Sequence, residues 1–253
     1  MSRPLVSWLE QIAHMASASE LGHVDLLVDQ ANCEHAVLPA LKLIEPDMPW
    51  FSLFSGLPEE ALLDQAPLLM RLSLDEWRHR SWLEELVEHL APQSRLVLLM
   101  SPLPFESLAR TLQGLSQLEW GGQSGLLRFY DPRVLPHLLK DVLSPEQREH
   151  FLGMALFWGW LDRDQQPVWQ PGTYRSSAAA TEPLPAIVLT DQQYFSLGRL
   201  SDAQQLLGLA SERLPNDTNE KRFEACCRLV LKAEQEGNFG DIHAYAIGNF
   251  EYI

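Results

Sequence analysis

Five apolar residues in succession, Leu96–Met100, place the strongest constraint on how this chain can fold. A run of this length, closed by Ser101 and Pro102, predicts a strand that is covered on both faces, because a strand with one wet face would alternate apolar and polar residues. Doubly covered strands are typical of sheets that lie between two layers of helices. The run therefore favours an α/β architecture.

Strand and helix patterns alternate on both sides of this run. Residues with strand-like patterns occupy 23–30, 50–55, 67–72 and 126–130, and helical patterns occupy 4–16, 38–44, 75–90 and 105–115. Such alternation, up to about residue 165, predicts a three-layer α/β lobe with a mainly parallel sheet. The aromatic segment 155–161 predicts a strand that forms a hairpin with residues 167–169.

The composition changes after this lobe. Residues 171–188 include a run of serine, alanine and threonine between prolines, which is typical of a linker or a draped loop. Apolar residues at helical spacing then return, so residues 189–253 predict a smaller, all-helical C-terminal lobe. The expected organisation is an α/β lobe over residues 1–170, a linker over 171–188 and a helical lobe over 189–253.

The charge balance restricts the class of partner. Lys plus Arg number 19 and Asp plus Glu number 34, which gives the chain of 253 residues a formal net charge of −15. Such a surface repels phosphate backbones and anionic membranes, so neither nucleic acid nor membrane is expected as a partner. The three cysteines fit reduced thiols, and the first residues do not resemble a signal peptide, so a cytoplasmic location is expected.

Two arginines, a tyrosine and an aspartate lie within the six residues Arg128–Arg133. We predict a buried strand that ends at Tyr130 and a helix that begins at Arg133. An arginine at the carboxyl end of a parallel strand could hold a phosphate or a carboxylate. The structural alternative is that Arg128 pairs with Asp131 or another acid while Asp131 caps the helix, and it carries more weight because a buried arginine usually has a fixed partner.

A second candidate is the pair Asp162 and Asp164, which resembles the metal-binding D-x-D sequence of some glycosyltransferases. These acids precede an expected hairpin turn, so solvated turn residues are the favoured interpretation. The eight histidines are scattered and form no metal-binding motif. The sequence thus predicts no catalytic, cofactor-binding or metal-binding residue, and the chain is not expected to be an enzyme.

Eight tryptophans are more than a chain of this length needs. Trp8, Trp82 and Trp158 fit core positions. Others fall near the ends of predicted elements, where exposed aromatic rings would favour a protein interface and partial burial is the ordinary alternative.

The six-residue motif resembles the signature of the type VI secretion system effector-chaperone, or adaptor, family, which was formerly catalogued as a domain of unknown function. The residues that carry this resemblance are Arg128, Phe129, Tyr130, Asp131, Pro132 and Arg133. Segments 27–31, 53–56, 65–69 and 144–148 are similar to other parts of the family in the same order, although Ala66 stands where a glycine is usual. The resemblance covers about residues 23–165.

The resemblance implies a cytoplasmic chaperone that is not itself secreted. It would bind a toxic effector and help to load it onto the spike protein VgrG, with the two lobes forming a clamp around an effector segment. The motif would be architectural first, locking a strand-to-helix turn, and it could also line the partner-binding groove between the lobes; no catalytic role is implied. The alternative from another class is a metal-dependent α/β transferase that uses a nucleotide-sugar donor.

Overall fold

The computed structural model describes residues 2–33, 37–175, 186–209, 217–238, 240 and 242–249. The chain divides into two compact units, Met1–Val188 and Leu189–Ile253. Residues 176–185 of the expected linker, and the ends of two expected helices at 210–214 and 250–253, lie outside the described residues. Among the described helices, none has both the length and the apolar character needed to cross a bilayer.

The first unit contains six helices and nine strands within its described residues. In chain order they are α1 (Arg3–Ala18), β1 (His23–Asp29), α2 (Val37–Leu41), β2 (Trp50–Ser52), β3 (Pro67–Ser73), α3 (Trp77–Leu90), β4 (Leu96–Met100), α4 (Phe105–Leu115), β5 (Gln117–Trp120), β6 (Gln123–Leu126), α5 (Leu135–His137), α6 (Pro145–Leu152), β7 (Phe157–Leu161), β8 (Pro167–Pro171) and β9 (Ile187–Val188). Short 3-10 turns cover Pro58–Leu62 and Ala91–Gln93, and a π-helical turn covers Leu138–Val142.

Six strands form the main sheet in the order β2-β3-β1-β4-β7-β8. All five neighbouring pairs are antiparallel, so the prediction of a mainly parallel sheet is wrong. An apolar run reports that both faces of a strand are covered, and it does not report the direction of the neighbouring strand. The mixture of helices and strands was predicted correctly, and so was the hairpin of β7 and β8.

Both faces of the sheet are covered. Val24, Leu26 and Val28 of β1 point into one core together with Trp8 of α1 and Leu83 of α3. The alternate residues of β1 face the other way. On that second face Asp25 lies opposite Leu99 of β4, and Leu99 lies opposite Trp158 of β7. The segments that follow β4 cover this second face.

A second, smaller sheet follows in the order β6-β5-β9. Gly121 and Gly122 form the turn between β5 and β6, and both have positive φ (56° and 76°), which glycine adopts without strain. Strand β6 therefore ends at Leu126, where the sequence predicted a strand to begin. Residues 127–134 have no regular structure, and the helix expected at Arg133 begins at Leu135 and continues through the π-helical turn to Val142.

Helix α6 begins as its sequence predicts. Ser144 accepts a hydrogen bond from the backbone N–H of Gln147, and the Gln147 side chain accepts one from the backbone N–H of Ser144. This reciprocal capping box satisfies two donors at the helix start. Pro145 occupies the first turn, where its missing N–H costs no hydrogen bond.

The regular secondary structure of the second unit is entirely helical within its described residues, as expected. It consists of α7 (Asp191–Leu209), α8 (Asn219–Gln235) and α9 (Ile242–Asn249). Leu206 of α7, Phe223 and Val230 of α8, and Ala246 of α9 share one buried core.

Candidate functional site

An ion pair joins the six-residue motif to the end of β1. Arg128 Nη2 donates to Asp29 Oδ2 at 2.6 Å, across 99 positions of sequence. The Asp29 side chain is 7% exposed and the Arg128 side chain is 56% exposed. Asp29 Oδ1 accepts the backbone N–H of Ala31 at 3.1 Å, so both carboxylate oxygens are used. Arg128 thus tethers an irregular segment to the sheet.

A second ion pair lies inside the motif. Arg133 Nε and Nη2 donate to Asp131 Oδ1 and Oδ2 at 2.9 and 2.7 Å, and the Arg133 backbone N–H also donates to Oδ1 at 2.9 Å. An aspartate that accepts the N–H two residues ahead closes an Asx turn, here around Pro132. The side-chain hydrogen bonds that Arg133 donates to Asp131 raise the pKa of Arg133. The sequence predicted that Arg128 pairs with Asp131 or another acid, and the structure pairs it with another acid, Asp29. Asp131 pairs with Arg133 instead, and its side chain does not cap α5 as expected.

The aromatic residues of the motif pack inward. The fully buried Phe129 ring makes edge contacts with the rings of Tyr130, Phe151 and Trp158, at centroid distances of 5.7, 5.4 and 6.4 Å. Such pairs add stability beyond the apolar area that they bury. They fix the motif over the second face of the main sheet.

Tyr130 lies between the aromatic contacts and the ion pairs. Its side chain is buried. Burial, and then the charge of Asp29, raise the pKa of Tyr130 to about 12, although Arg128 acts in the opposite direction. The phenol therefore stays neutral across the physiological range.

Asp162 and Asp164 lie in the turn between β7 and β8. Asp162 Oδ1 accepts the backbone N–H of Asp164 at 2.9 Å and that of Gln166 at 2.8 Å. This carboxylate stabilises the turn, which agrees with the interpretation of these acids as turn residues. Arg163, between the two acids, donates to the backbone oxygen of Arg133 at 3.0 Å and so connects the turn to the motif. In the part of the chain that the structure describes, no three His, Cys, Asp or Glu side chains form a group that could hold a metal ion.

Sequence reasoning missed a buried ion pair in the middle of the sheet. Asp25 of β1 lies opposite Arg71 of β3, whose Nε and Nη2 donate to the two carboxylate oxygens at 2.7 and 2.9 Å. Arg71 also donates to the backbone oxygen of Leu103 at 3.0 Å and lies 5.7 Å from the centre of the Phe105 ring. Burial raises the pKa of Asp25 although Arg71 acts to lower it. The available signal was a charged residue among buried apolar residues in each of two strands.

Arg95 was missed as well. Its Nη1 donates to the backbone oxygens of Asp29, at 3.1 Å, and of Ala31. The backbone N–H of Asp29 in turn donates to the Arg95 oxygen at 2.9 Å. The turn that presents Asp29 to Arg128 is therefore held from its other side.

Comparison with known families identifies one match. Residues 26–150 match the model of a family described as a domain of unknown function, DUF4123. The match begins within β1 and ends within α6, and it includes Asp29, Arg71 and the whole motif. No curated protein and no solved structure matches the chain.

Proposed function

We propose that this chain is an adaptor that binds a type VI secretion effector in the cytoplasm and helps to load it onto the VgrG spike, without being an enzyme or being secreted. The observation that carries the proposal is the DUF4123 match over residues 26–150. It falls within the span in which the sequence resembles the effector-chaperone family, and it contains the motif Arg128–Arg133.

The geometry of the motif supports a scaffolding role. Asp29 is paired with Arg128 and Asp131 is paired with Arg133, while Phe129 is packed among other rings. Groups engaged in this way position a segment, and they present no nucleophile with an adjacent base. The motif shapes the unit that carries the effector-binding surface, and the effector contacts lie elsewhere on the chain.

The net charge supports a basic client. At −15 the chain attracts cationic surfaces and repels acidic ones, which favours encounter with a basic effector segment. The attraction is screened by salt, so it acts mainly on the rate of association.

The test is co-expression of the tagged full chain with the toxin and VgrG genes found beside its own gene. We expect the toxin to co-purify, and VgrG to be retained when the toxin is present. Mutation of an unrelated exposed residue such as Leu231, in α8, should change neither result. If neither the toxin nor VgrG is retained by the wild-type chain, the proposal is wrong.

A further inference from the structure

The first unit exposes two large apolar side chains beside one groove. Leu43, which follows α2, is 82% exposed, and Trp77, the first residue of α3, is 60% exposed. All eight tryptophans lie within the described residues, and Trp77 is the most exposed of them. Leu43 and Trp77 line a groove of about 450 Å³ together with Glu45, Trp82 and Glu85, and we call it the Trp77 groove.

The walls of the Trp77 groove are fixed to each other. Arg78 Nη1 donates to the backbone oxygen of Glu45 at 3.1 Å, and its guanidinium lies 5.3 Å from the centre of the Trp77 ring. His79 Nδ1 accepts the backbone N–H of Ser73 at 3.1 Å, so Nε2 carries the proton and donates to the Pro46 oxygen at 2.9 Å. These contacts hold the exposed apolar surface in place before any partner arrives, which lowers the entropic cost of binding.

The groove follows the axis of α3. Trp77, Ser81 and Glu85 are spaced four residues apart and line it in succession. Eight residues of helix span about 12 Å, or slightly more than two turns. A wall of this length and periodicity suits a second helix that packs its own ridge of side chains against α3.

The charges of the groove are mostly acidic. Glu45 and Glu85 line it, and neither forms an ion pair with another residue in the described ranges of the chain. Arg78, the one lining cation, is engaged by the Glu45 backbone oxygen and the Trp77 ring. A partner with cations beside its apolar stripe would therefore be complementary to this groove.

We infer that the Trp77 groove holds an amphipathic helix of the effector, with aliphatic side chains along one face and lysine or arginine at its borders. The aliphatic side chains pack on Trp77 and Leu43, and the cations reach Glu45 and Glu85. This inference rests on the proposed function and names the surface and the chemistry of the partner.

Calorimetric titration of the full chain tests the chemistry of the groove. The probe is a synthetic peptide of leucine and lysine at amphipathic helical spacing, and its counterpart replaces every lysine by glutamate. We expect the leucine–lysine peptide to bind and the counterpart to bind at least tenfold more weakly. Trp77→Ala should weaken binding by about tenfold or more, and Glu85→Gln by severalfold with a smaller dependence on salt.

Matched controls come from the turn Pro58–Leu62, where exposed Leu62 is close in sequence to exposed Glu60. Leu62→Ala and Glu60→Gln should leave the Kd within about twofold of wild type, a difference too small to mark a hot spot. The inference is overturned if the leucine–lysine peptide does not bind, if both peptides bind equally, or if Leu62→Ala weakens binding as much as Trp77→Ala.

Co-expression with the effector separates this inference from the proposed function. If the wild-type chain captures the toxin and Trp77→Ala with Leu43→Ala captures it equally well, the groove is not the binding site and the adaptor function stands. If the wild-type chain captures no toxin, the adaptor function itself fails. Loss of capture in the double variant, with unchanged melting and with capture kept by Leu62→Ala, supports the inference.

Discussion

The middle and the end of β1 each carry an aspartate paired with an arginine, and the two pairs differ in nearly every other respect. Asp25 is fully buried and its partner Arg71, directly opposite on β3, is 14% exposed. Asp29 is also buried, but its partner Arg128 comes from an irregular segment and is 56% exposed. One pair lies inside the sheet, and the other fastens a loop to it.

The difference in burial indicates how much each pair contributes to stability. Two charges buried together gain little over apolar residues of the same shape, but removal of one leaves the other buried without a partner. A pair with one partner in solvent contributes less, because water competes for the guanidinium. Single substitutions in the Asp25–Arg71 pair should therefore destabilise the fold strongly, whereas single substitutions in the Asp29–Arg128 pair should be better tolerated.

The largest effect is expected from Arg71→Ala. It leaves the Asp25 carboxylate buried without its two hydrogen bonds, and we expect a loss of about 3–5 kcal/mol in the free energy of unfolding, measured by urea denaturation at neutral pH. Replacing Asp25 and Arg71 together by leucine should recover most of this loss. A loss below about 1 kcal/mol for Arg71→Ala would contradict the contrast drawn between the two pairs.

The next effect concerns Tyr130, beside the second pair. Its pKa in the folded chain, about 12, lies above the ordinary value of 10.0, so the neutral form is favoured by folding. The stability that this contributes is complete below pH 10 and is lost as the pH rises towards 12, by up to about 2–3 kcal/mol.

Urea denaturation at several alkaline pH values measures this loss. Tyr130→Phe should make the alkaline loss smaller, whereas Tyr194→Phe, at an exposed tyrosine of α7, should leave it unchanged. The raised pKa values of Tyr245 and Cys226 contribute to the loss that remains. Equal profiles for Tyr130→Phe and wild type would show that Tyr130 is not responsible.

A smaller effect is expected from Arg128→Ala. It removes one charge-assisted hydrogen bond from a half-exposed arginine, so the free energy of unfolding should fall by about 1–2 kcal/mol. Capture of the co-expressed effector should persist at temperatures where the variant is folded. Arg128→Lys, which keeps the charge, should recover part of the loss. An Arg128→Ala variant with unchanged melting and no effector capture would make the motif an interface and not a scaffold.

The smallest expected effect is a difference between the two pairs in how salt changes the loss of stability caused by removing the arginine. At about 1 M NaCl the Debye length falls to about 3 Å, so the loss caused by Arg128→Ala should shrink by a few tenths of a kcal/mol. The loss caused by Arg71→Ala should stay the same, because the buried pair is shielded from ions. Denaturation of both variants at low and high salt measures the difference, and equal salt dependence would contradict it.

Much of the fold could be predicted from sequence because burial leaves a pattern. Strands β1, β3 and β4 and helices α1, α3 and α4 lie where their apolar residues indicate. Strand direction leaves no such pattern when both faces are covered, and the long connections among β1, β3 and β4 contain no hairpin turn that would reveal it. In the main sheet, only the short turn between β7 and β8 revealed the direction of a strand pair.

The residues around the motif show a different limit. Phe129 and Tyr130 are buried, as expected, but they lie in an irregular segment and are buried by contacts between rings. Such a segment has the same composition as a buried strand, so composition does not distinguish the two. Arg128 was singled out from the sequence and Asp29 lay within the similar segment 27–31, yet nothing in the sequence joined them across 99 positions. Prediction of the Asp25–Arg71 pair would have required the register of two antiparallel strands. Prediction of the position of Trp77 would have required the path of the chain after α2.

Strand β8 forms one edge of the main sheet, and it begins and ends with proline. Gly172 directs its N–H inward to the Leu156 oxygen at 2.8 Å, so by alternation positions 167, 169 and 171 face outward. Prolines at two of these positions leave Trp169 as the outward donor. This edge therefore offers few backbone donors to an extended chain, which disfavours the addition of a further strand there.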